Sequence, residues 1–338
     1  MEKKKSNLEE SIITYKFKYF KDLTPYFEKA KLVAEFAIAN RTLNSSKFVS
    51  HIGLPSVISN QILRKFNRDL KCKSVKHANL LIPGQSLNYD SLNHLVEIPC
   101  LKLTVKADFS LLNYTFIKLN SAEIKKDYIY FQVSVKNQKV SSYDDYLGID
   151  RNATRHIAVC ANGRTGKILK LGAKAPHVSK TLKKHRAKLQ KNKKYNHLKK
   201  VAKRESRINA DINHKISRNV VDYAYRNKLS IKLEDLKGVR KNKKTAVKQN
   251  KTLNHVIHSW SFYQLQTFIV YKARLLGIKV FFVDPFMTSQ TCSKCGARGS
   301  RTKEKFKCHS CQHSDNPDVN AAFNIANAKI KKNGYMWI

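Results

Sequence analysis

Acidic residues are scarce in this chain: 24 Asp and Glu stand against 66 Lys and Arg in 338 residues, a formal net charge of +42. A surplus of that size goes well beyond what solubility requires and fits a polyanionic partner, nucleic acid first. Charge alone would also describe a ribosomal or membrane-surface protein, so its placement has to decide more. Long apolar runs are missing as well. No stretch approaches the roughly 18 residues of a membrane-spanning helix, and the opening MEKKKSNLEE lacks the apolar segment of a signal peptide. A soluble, cytoplasmic protein with no membrane partner is therefore expected. Evenly paired cysteines are also lacking. Of the seven present, Cys72, Cys100 and Cys160 are scattered as ordinary thiols and four crowd together near the C-terminal end, which suits metal binding in a reducing compartment better than a disulfide framework. No internal repeat is visible, so the chain reads as successive segments with different periodicities.

What is present divides by periodicity. Residues 12 to 20, IITYKFKYF, alternate as a strand does, and residues 91 to 140 hold further β-rich runs such as LVEIPCLKLTV and YIYFQVSV. Together they predict a small antiparallel barrel or sandwich. Between them, Phe27, Ala30, Val33, Ala34 and Ala37 have helical spacing and residues 55 to 70 predict a second helix, so a helical insertion interrupts the β unit. From Tyr146 onward, strands alternate with helices as in an α/β sheet. YLGID, RHIAVC and KILKL, the last two joined by the turn former NGRTG, predict an antiparallel meander. A long helix then carries Ile208, Ile212, Ile216, Val220 and Ala224 on one stripe and leads to the strand SIKLED. Residues 260 to 276 predict a buried helix capped by Gly277, before a fifth strand, IKVFFV. Three antiparallel strands, helix, strand, helix, strand is the order of an RNase H-like core.

Three carboxylates stand out against that order. Asp150 and Glu234 each end an apolar strand run, where burial disfavours an isolated charge. Asp318 lies in NPDVNAAFNIA, where Asn316 can cap, Pro317 suits the first helical position, and Val319, Ala322, Phe323 and Ala326 form an apolar face. A lone Asp at a strand end is more often a turn or cap residue than a ligand. Three in this topological order can converge and share two hard divalent cations for phosphodiester hydrolysis. Asp235, Asp284 and Asp315 are weaker candidates. Cys292-Ser-Lys-Cys295, twelve intervening residues, then Cys308-His-Ser-Cys311 is the paired-knuckle spacing of a tetrahedral Zn²⁺ site, with Gly296 and the basic run through Arg298, Gly299 and Arg301 as turn and hairpin. His309 and His313 stand near enough to compete as ligands, although four cysteines already close a structural site.

Residues 167 to 207 contain a dense basic series with Glu205 its only acid: Lys183, Lys184, Arg186, Lys188, Lys191, Lys193, Lys194, Lys199, Lys200, Lys203 and Arg204. A charge run is usually a solvated helix face, but the opposite charges that balance such a face are missing, so a nucleic-acid contact is expected. A second run at residues 237 to 251, with Arg240, Lys241, Lys243 and Lys244, has no acid at all and follows the Glu234 strand, as a phosphate guide or lid would.

GIDRNATRHIAV, IKLEDLKGVR, DPFMTSQTCSKCG and CHSCQHSDNPDVNAAFNIA, in this order, resemble the transposon-encoded TnpB proteins, relatives of the compact type V CRISPR nucleases. The likeness runs from Tyr146 to about Asn327; the first 140 residues match in layout only. It implies an RNA-guided DNA endonuclease of a transposable element, with Asp150, Glu234 and Asp318 as a RuvC triad binding Mg²⁺ or Mn²⁺ and the four cysteines holding structural Zn²⁺. It also implies a guide RNA derived from the transposon end and target DNA cut beside a short adjacent motif; the sequence does not give the oligomeric state, with a monomer favoured. The implied layout is a wedge β unit over 1-23 and 81-145, a recognition insertion over 24-80, a nuclease core over 146-287 and 315-338, and a zinc ribbon over 288-314. The chain departs from the family in Arg151-Asn152-Ala153, where a hydrophobic residue and Gly are usual, and in Gln312 after the last cysteine. Neither removes a carboxylate or a thiol. A non-cleaving RNA-guided repressor and a DNA-joining transposase are the competing readings.

Overall fold

A computed structural model describes residues 9–110, 114–141, 143–152, 155–236, 262–302 and 304–335. These form two compact units, residues 1 to 137 and 138 to 338.

The first unit opens with β1 (Glu10–Lys18), α1 (Thr24–Ala39), a 3-10 turn (Ser46–Ile52) and α2 (Ser56–Arg68). Pro25 starts α1, where a missing N–H costs nothing. Ala30, Val33, Ala34 and Ala37 of α1 are buried, as are Ile58, Ser59, Ile62 and Leu63 of α2, with i, i+3, i+4 spacing on each helix. Then come β2 (Leu80–Pro83), β3 (Asn88–Asp90), β4 (Leu95–Ile98), β5 (Leu103–Lys106), β6 (Thr115–Lys125) and β7 (Tyr128–Lys136). They form two antiparallel sheets, one in the order β1-β7-β6-β2 and one in the order β3-β4-β5. No ladder joins the two among the described residues. An aromatic cluster links them: Phe109 lies 5.1 Å from Tyr89, 5.5 Å from Phe116 and 5.6 Å from Phe17, centroid to centroid. The sandwich alternative thus describes this unit better than a closed barrel.

The second unit begins with β8 (Tyr146–Arg151), β9 (Ala158–Asn162) and β10 (Ile168–Leu171), a fully antiparallel meander. Asn162 Oδ1 accepts from the N–H groups of Arg164 and Thr165 and tightens the β9–β10 turn. The single long helix expected next is instead a hairpin of α3 (Ala175–Lys191) and α4 (Tyr195–Arg226). The break falls in Asn192-Lys193-Lys194, where Lys193 takes a positive φ of 53°, and the crowded charges there do not reveal it in the sequence. After β11 (Ser230–Glu234) come α5 (Phe262–Leu275) and β12 (Val280–Val283). Gly277, at φ 66°, makes the αL exit from α5. That helix is buried on one side only, because Tyr263 and Tyr271 are exposed. Short strands β13 (Gly299–Arg301), β14 (Phe306–Cys308) and β15 (Ser314–Asp315) precede α6 (Pro317–Asn327), and β16 (Ile330–Tyr335) follows it. The sequence predicts only a final helix there, and the structure adds this strand after it.

The six-stranded sheet runs β10-β9-β8-β11-β12-β16, with β8, β11 and β12 mutually parallel and β16 antiparallel to β12. Strand alternation sorts the side chains of its central strands. Leu147, Ile149, Ile231 and Leu233 point to α4 and α5 and join a core with Ile216, Val220, Ala224, Leu265 and Ile269. Burial of each large aliphatic side chain there contributes about 1.5–3 kcal/mol. Gly148, Asp150, Lys232 and Glu234, one residue out of phase, take the opposite face, which α6 covers. Gly148 is required there: a Cβ on it would lie 2.2 Å from Ala322 O and 2.3 Å from Ala326 N. Among the described residues, no helix is long and apolar enough to cross a membrane.

Candidate carboxylate and thiolate sites

Leu233 stands opposite Ile149 in the parallel β8–β11 ladder, so Glu234 and Asp150 fall side by side at the carboxyl ends of neighbouring strands. Such strand ends are where open α/β sheets place their ligands. Asp318 arrives from α6. Asn316 Oδ1 caps the helix by accepting from the N–H groups of Asp318 and Val319 at 3.0 and 3.4 Å. The tight seat of α6 on Gly148 brings its first turn over the same corner. Asp150 and Asp318 are each 7% exposed and Glu234 is half-buried. The three carboxylates predicted from the sequence therefore lie at one corner, near enough for Glu234 and Asp318 to act electrostatically on Asp150.

Their partners are specific. Asp150 Oδ2 accepts from Asn152 Nδ2 at 2.9 Å, Glu234 Oε1 from Thr288 Oγ1 at 2.5 Å, and Asp318 Oδ1 from Arg301 Nη2 at 3.1 Å. Behind the cluster, the buried Arg151 donates to Glu234 O at 2.6 Å and to Gln266 Oε1 at 2.8 Å, tying β8 to the end of β11 and to α5. Burial, and next the negative charge of Glu234, push the Asp150 carboxyl up to about 7. Burial likewise raises Glu234. The nearby guanidinium groups do not offset this, so the corner carries more negative charge than it can comfortably ionise, a condition that a bound cation relieves. Buried carboxylate oxygens suit hard divalent ions. Their oxygens do not form one close ligand group of the kind the thiolates make.

Among the weaker candidates, Asp284 Oδ1 accepts from the N–H of Phe286 in a local turn, and Asp315 Oδ1 from the N–H of Asn316 at 2.6 Å. Thr288 and Arg301, which touch the cluster directly, are missed as site residues by sequence reasoning. The only signal for either is its position in the cysteine-flanking segments. α6 is held to the first of these segments by Asn320 and Asn324, one turn apart, whose Nδ2 groups both donate to Thr291 O, Asn324 donating to Thr288 O as well.

Sγ atoms of Cys292, Cys295, Cys308 and Cys311 all lie within 4.8 Å of one another, and this is the one group of three or more close ligand atoms among the described residues. Cys292 and Cys311 are 3.7 Å apart, and Cys295 and Cys308 3.5 Å. Four sulfurs at about 2.3 Å from a tetrahedral zinc are separated by ~3.8 Å, so the arrangement fits the ion. N–H groups of Cys311 and Ser310 point at Cys308 Sγ and hold that thiol down to about 6. His309 and His313 stand outside the group. His313 Nε2 lies 3.9 Å from Asp315 Oδ2.

Of the basic residues singled out from the sequence, Lys183, Lys184, Lys188, Lys191, Lys193, Lys194, Lys199, Lys200, Lys203 and Arg204 are exposed on the α3–α4 hairpin. Arg186 is different. It forms a 2.5 Å ion pair with Glu205, whose side chain is 7% exposed, so it joins the two helices instead of facing outward. Arg240, Lys241, Lys243 and Lys244 lie outside the described residues. In the first unit a groove of about 580 Å³ is lined by Arg64, Lys65 and Arg68 of α2 and by Asn120 and Gln132 of the sheet. Glu123 of the sheet also lines it, 4.0 Å from Lys65 Nζ.

Fold and site together define a mixed α/β protein with a buried carboxylate cluster at its central strand ends and a four-thiolate ribbon. Residues 262–325 match the family described as Cas12f1-like, TNB domain. A TnpB-like protein of Methanocaldococcus jannaschii is 30% identical over 220 residues, covering 62% of this chain and 77% of that protein. The chain belongs to the TnpB-like family. The CRISPR-associated endodeoxyribonuclease Cas12f1 of Sulfoacidibacillus thermotolerans is 40% identical over 124 residues, 36% of this chain but 27% of that protein. A protein of Escherichia coli K12 named putative RNA-guided DNA endonuclease InsQ is 32% identical over 130 residues, 35% of this chain and 31% of that one. The chain thus spans about a third or less of the length of these two relatives.

Proposed function

We propose that this chain is an RNA-guided, divalent-metal-dependent DNA endonuclease of a transposable element, with a RuvC-type core, that hydrolyses target DNA beside a short transposon-adjacent motif. The observation that carries the reading is the placement of Asp150, Glu234 and Asp318, from elements far apart in the chain, at one largely buried corner where Glu234 and Asp318 both raise the Asp150 carboxyl. Relatives named RNA-guided DNA endonuclease and endodeoxyribonuclease support it, as does the basic hairpin. Sequence would be supplied by pairing between target DNA and a guide RNA derived from the transposon end, with the protein reading only backbone shape and the adjacent motif. The wedge and recognition roles belong on this reading to the first unit, whose basic groove is a candidate surface for them.

Asp150, Glu234 and Asp318 would hold Mg²⁺ or Mn²⁺, which when bound supplies an activated water and stabilises the leaving oxygen of the phosphodiester. Thr288 fixes the rotamer of Glu234 through its 2.5 Å bond. Arg151 holds the Glu234 peptide plane from behind. Arg301 stands at the Asp318 edge with a third of its side chain exposed and would meet a phosphate oxygen there. The four cysteines would hold structural Zn²⁺, so that the ribbon presents Arg301 on a rigid hairpin.

The test uses the chain purified with its copurifying RNA. Sequencing that RNA defines the guide, and matched DNA with randomised flanks defines the adjacent motif. Asp150→Ala, Glu234→Ala and Asp318→Ala should each abolish Mg²⁺-dependent cutting while leaving guide and target binding intact in gel shifts. Full cutting by any one variant removes that residue from the site. Guided binding by a wild type that never cuts would favour the repressor reading, and joined DNA ends would favour the transposase.

A further inference from the structure

Lys232 is a buried cation that the cleavage reading leaves unused. It stands on β11 two residues before Glu234, so strand alternation turns both side chains toward α6. It is 5% exposed. Its Nζ donates to Ala326 O and Ala328 O, each at 2.8 Å, and lies 3.8 Å from the centroid of the Tyr146 ring on β8. An ammonium has three protons. Two carbonyls and one aromatic face satisfy all three.

Both carbonyls sit where α6 ends, among the groups a helix leaves without an internal partner and at the negative end of its dipole. A buried ammonium is costly to desolvate, and an apolar side chain of similar volume would hold this core as well or better. An apolar side chain cannot bind two particular carbonyls, however. Lys232 can, and doing so sets both the rotation of α6 about its axis and its position along the sheet. The other sheet contacts, the close backbone approach at Gly148 and the apolar packing of Val319, Ala322 and Phe323 on Val159 and Ala161 of β9, fix how closely the helix lies but carry no directional bond to β11. Asn320 and Asn324 tie α6 to the start of the ribbon at Thr288, Thr291 and Ser293, which is not part of the sheet. Lys232 is therefore the polar stop between α6 and the strand that carries Glu234.

The helix behaves as a short rod, with eleven residues spanning about 16 Å. Slip or rotation at its C-terminal end reaches Asp318 at the other. We propose that Lys232 is a positioning residue that locks α6 onto β11 and so holds Asp318 in register with Asp150 and Glu234. The proposal rests on the reading of these three carboxylates as metal ligands.

The experiment compares the full chain with its copurified RNA as wild type, Lys232→Met, Tyr146→Leu and the control Val220→Ala, a core truncation under α4 on the opposite sheet face. Cleavage of matched DNA is measured over a Mg²⁺ titration at a temperature where melting curves show each protein folded. Displacing a ligand by about 1 Å costs on the order of 100-fold in rate. Lys232→Met should therefore raise the Mg²⁺ concentration for half-maximal cutting about tenfold or more and slow cutting at saturating Mg²⁺, with gel-shift affinity unchanged. Tyr146→Leu, which removes only the ring, should move the midpoint the same way by a smaller factor. Val220→Ala should lower the melting temperature and leave the Mg²⁺ midpoint alone. A wild-type midpoint and rate in Lys232→Met overturns the proposal, as does a midpoint in Val220→Ala that moves equally. If Lys232→Met does not fold, Tyr146→Leu decides by the same criterion. Asp318→Ala is run beside them: if it still cuts, the ligand reading has failed, whatever Lys232 does.

Discussion

Asp150→Asn should stabilise the magnesium-free protein while destroying its use for magnesium. Burial and the charge of Glu234 raise the Asp150 carboxyl from 3.8 to about 7, which means that ionising it in the folded chain costs about 4 kcal/mol. The sign follows from proton linkage. A carboxyl whose folded value lies above its unfolded value binds more protons in the native state. Stability then falls as pH rises from about 4 to about 7, and the full cost is present above that. Asn removes the charge and keeps an oxygen for the bond from Asn152. It stays a buried polar group, so roughly half the cost should be recovered, about 2 kcal/mol at pH 8, or ~4–8 °C in a unit of this size. At pH 5, where wild-type Asp150 is already protonated, the two proteins should melt within a degree or two. The assay is thermal unfolding across pH 5 to 8 in buffers free of Mg²⁺, with zinc left in place. Adding Mg²⁺ at ten times its dissociation constant should stabilise wild type by about 1.4 kcal/mol through mass action and Asp150→Asn by much less. An Asp150→Asn protein that melts at or below wild type at pH 8, or that gains equally from Mg²⁺, would refute the picture of an over-negative metal corner.

Three further outcomes are expected. Cys295→Ser or Cys308→Ser should lower bound zinc and the melting temperature, because three thiolates hold Zn²⁺ less well than four; stoichiometric zinc by elemental analysis in a variant lacking two of the cysteines would sink the assignment. Neutralising Lys191, Lys193 and Lys194 together should weaken nucleic-acid binding and flatten the salt dependence by up to about 2–3 in log–log slope, and an unchanged slope would make the hairpin tip a solvated surface only. Gly148→Ala should cost about 3 kcal/mol or more through overpacking, since its Cβ would meet backbone atoms of α6 that have no rotamer to change; wild-type melting and cutting by this variant would show that α6 does not need its close seat.

The sequence by itself determined the parts whose signals are local. The alternation in YLGID and SIKLED and the cap Asn316-Pro317 are short-range signals, and the structure places Asp150, Glu234 and Asp318 at the strand ends and first helical turn they predict. The thiol spacing is local too, and the four sulfurs meet. Tertiary structure decided what depends on partners distant in the chain. Arg186 reads as one more surface charge until Glu205 is found beside it on the neighbouring helix. Thr288 and Arg301 lie 54 and 17 residues from the carboxylates they touch, and no periodicity links them. β16 is called into being by the open edge of β12, a hydrogen-bonding demand that residues 330–335 do not announce on their own. Lys232 looks like a polar interruption in an apolar strand, and it becomes intelligible only when the end of α6 and the face of Tyr146 close around it, because a buried charge is tolerated only where the folded chain provides it with acceptors.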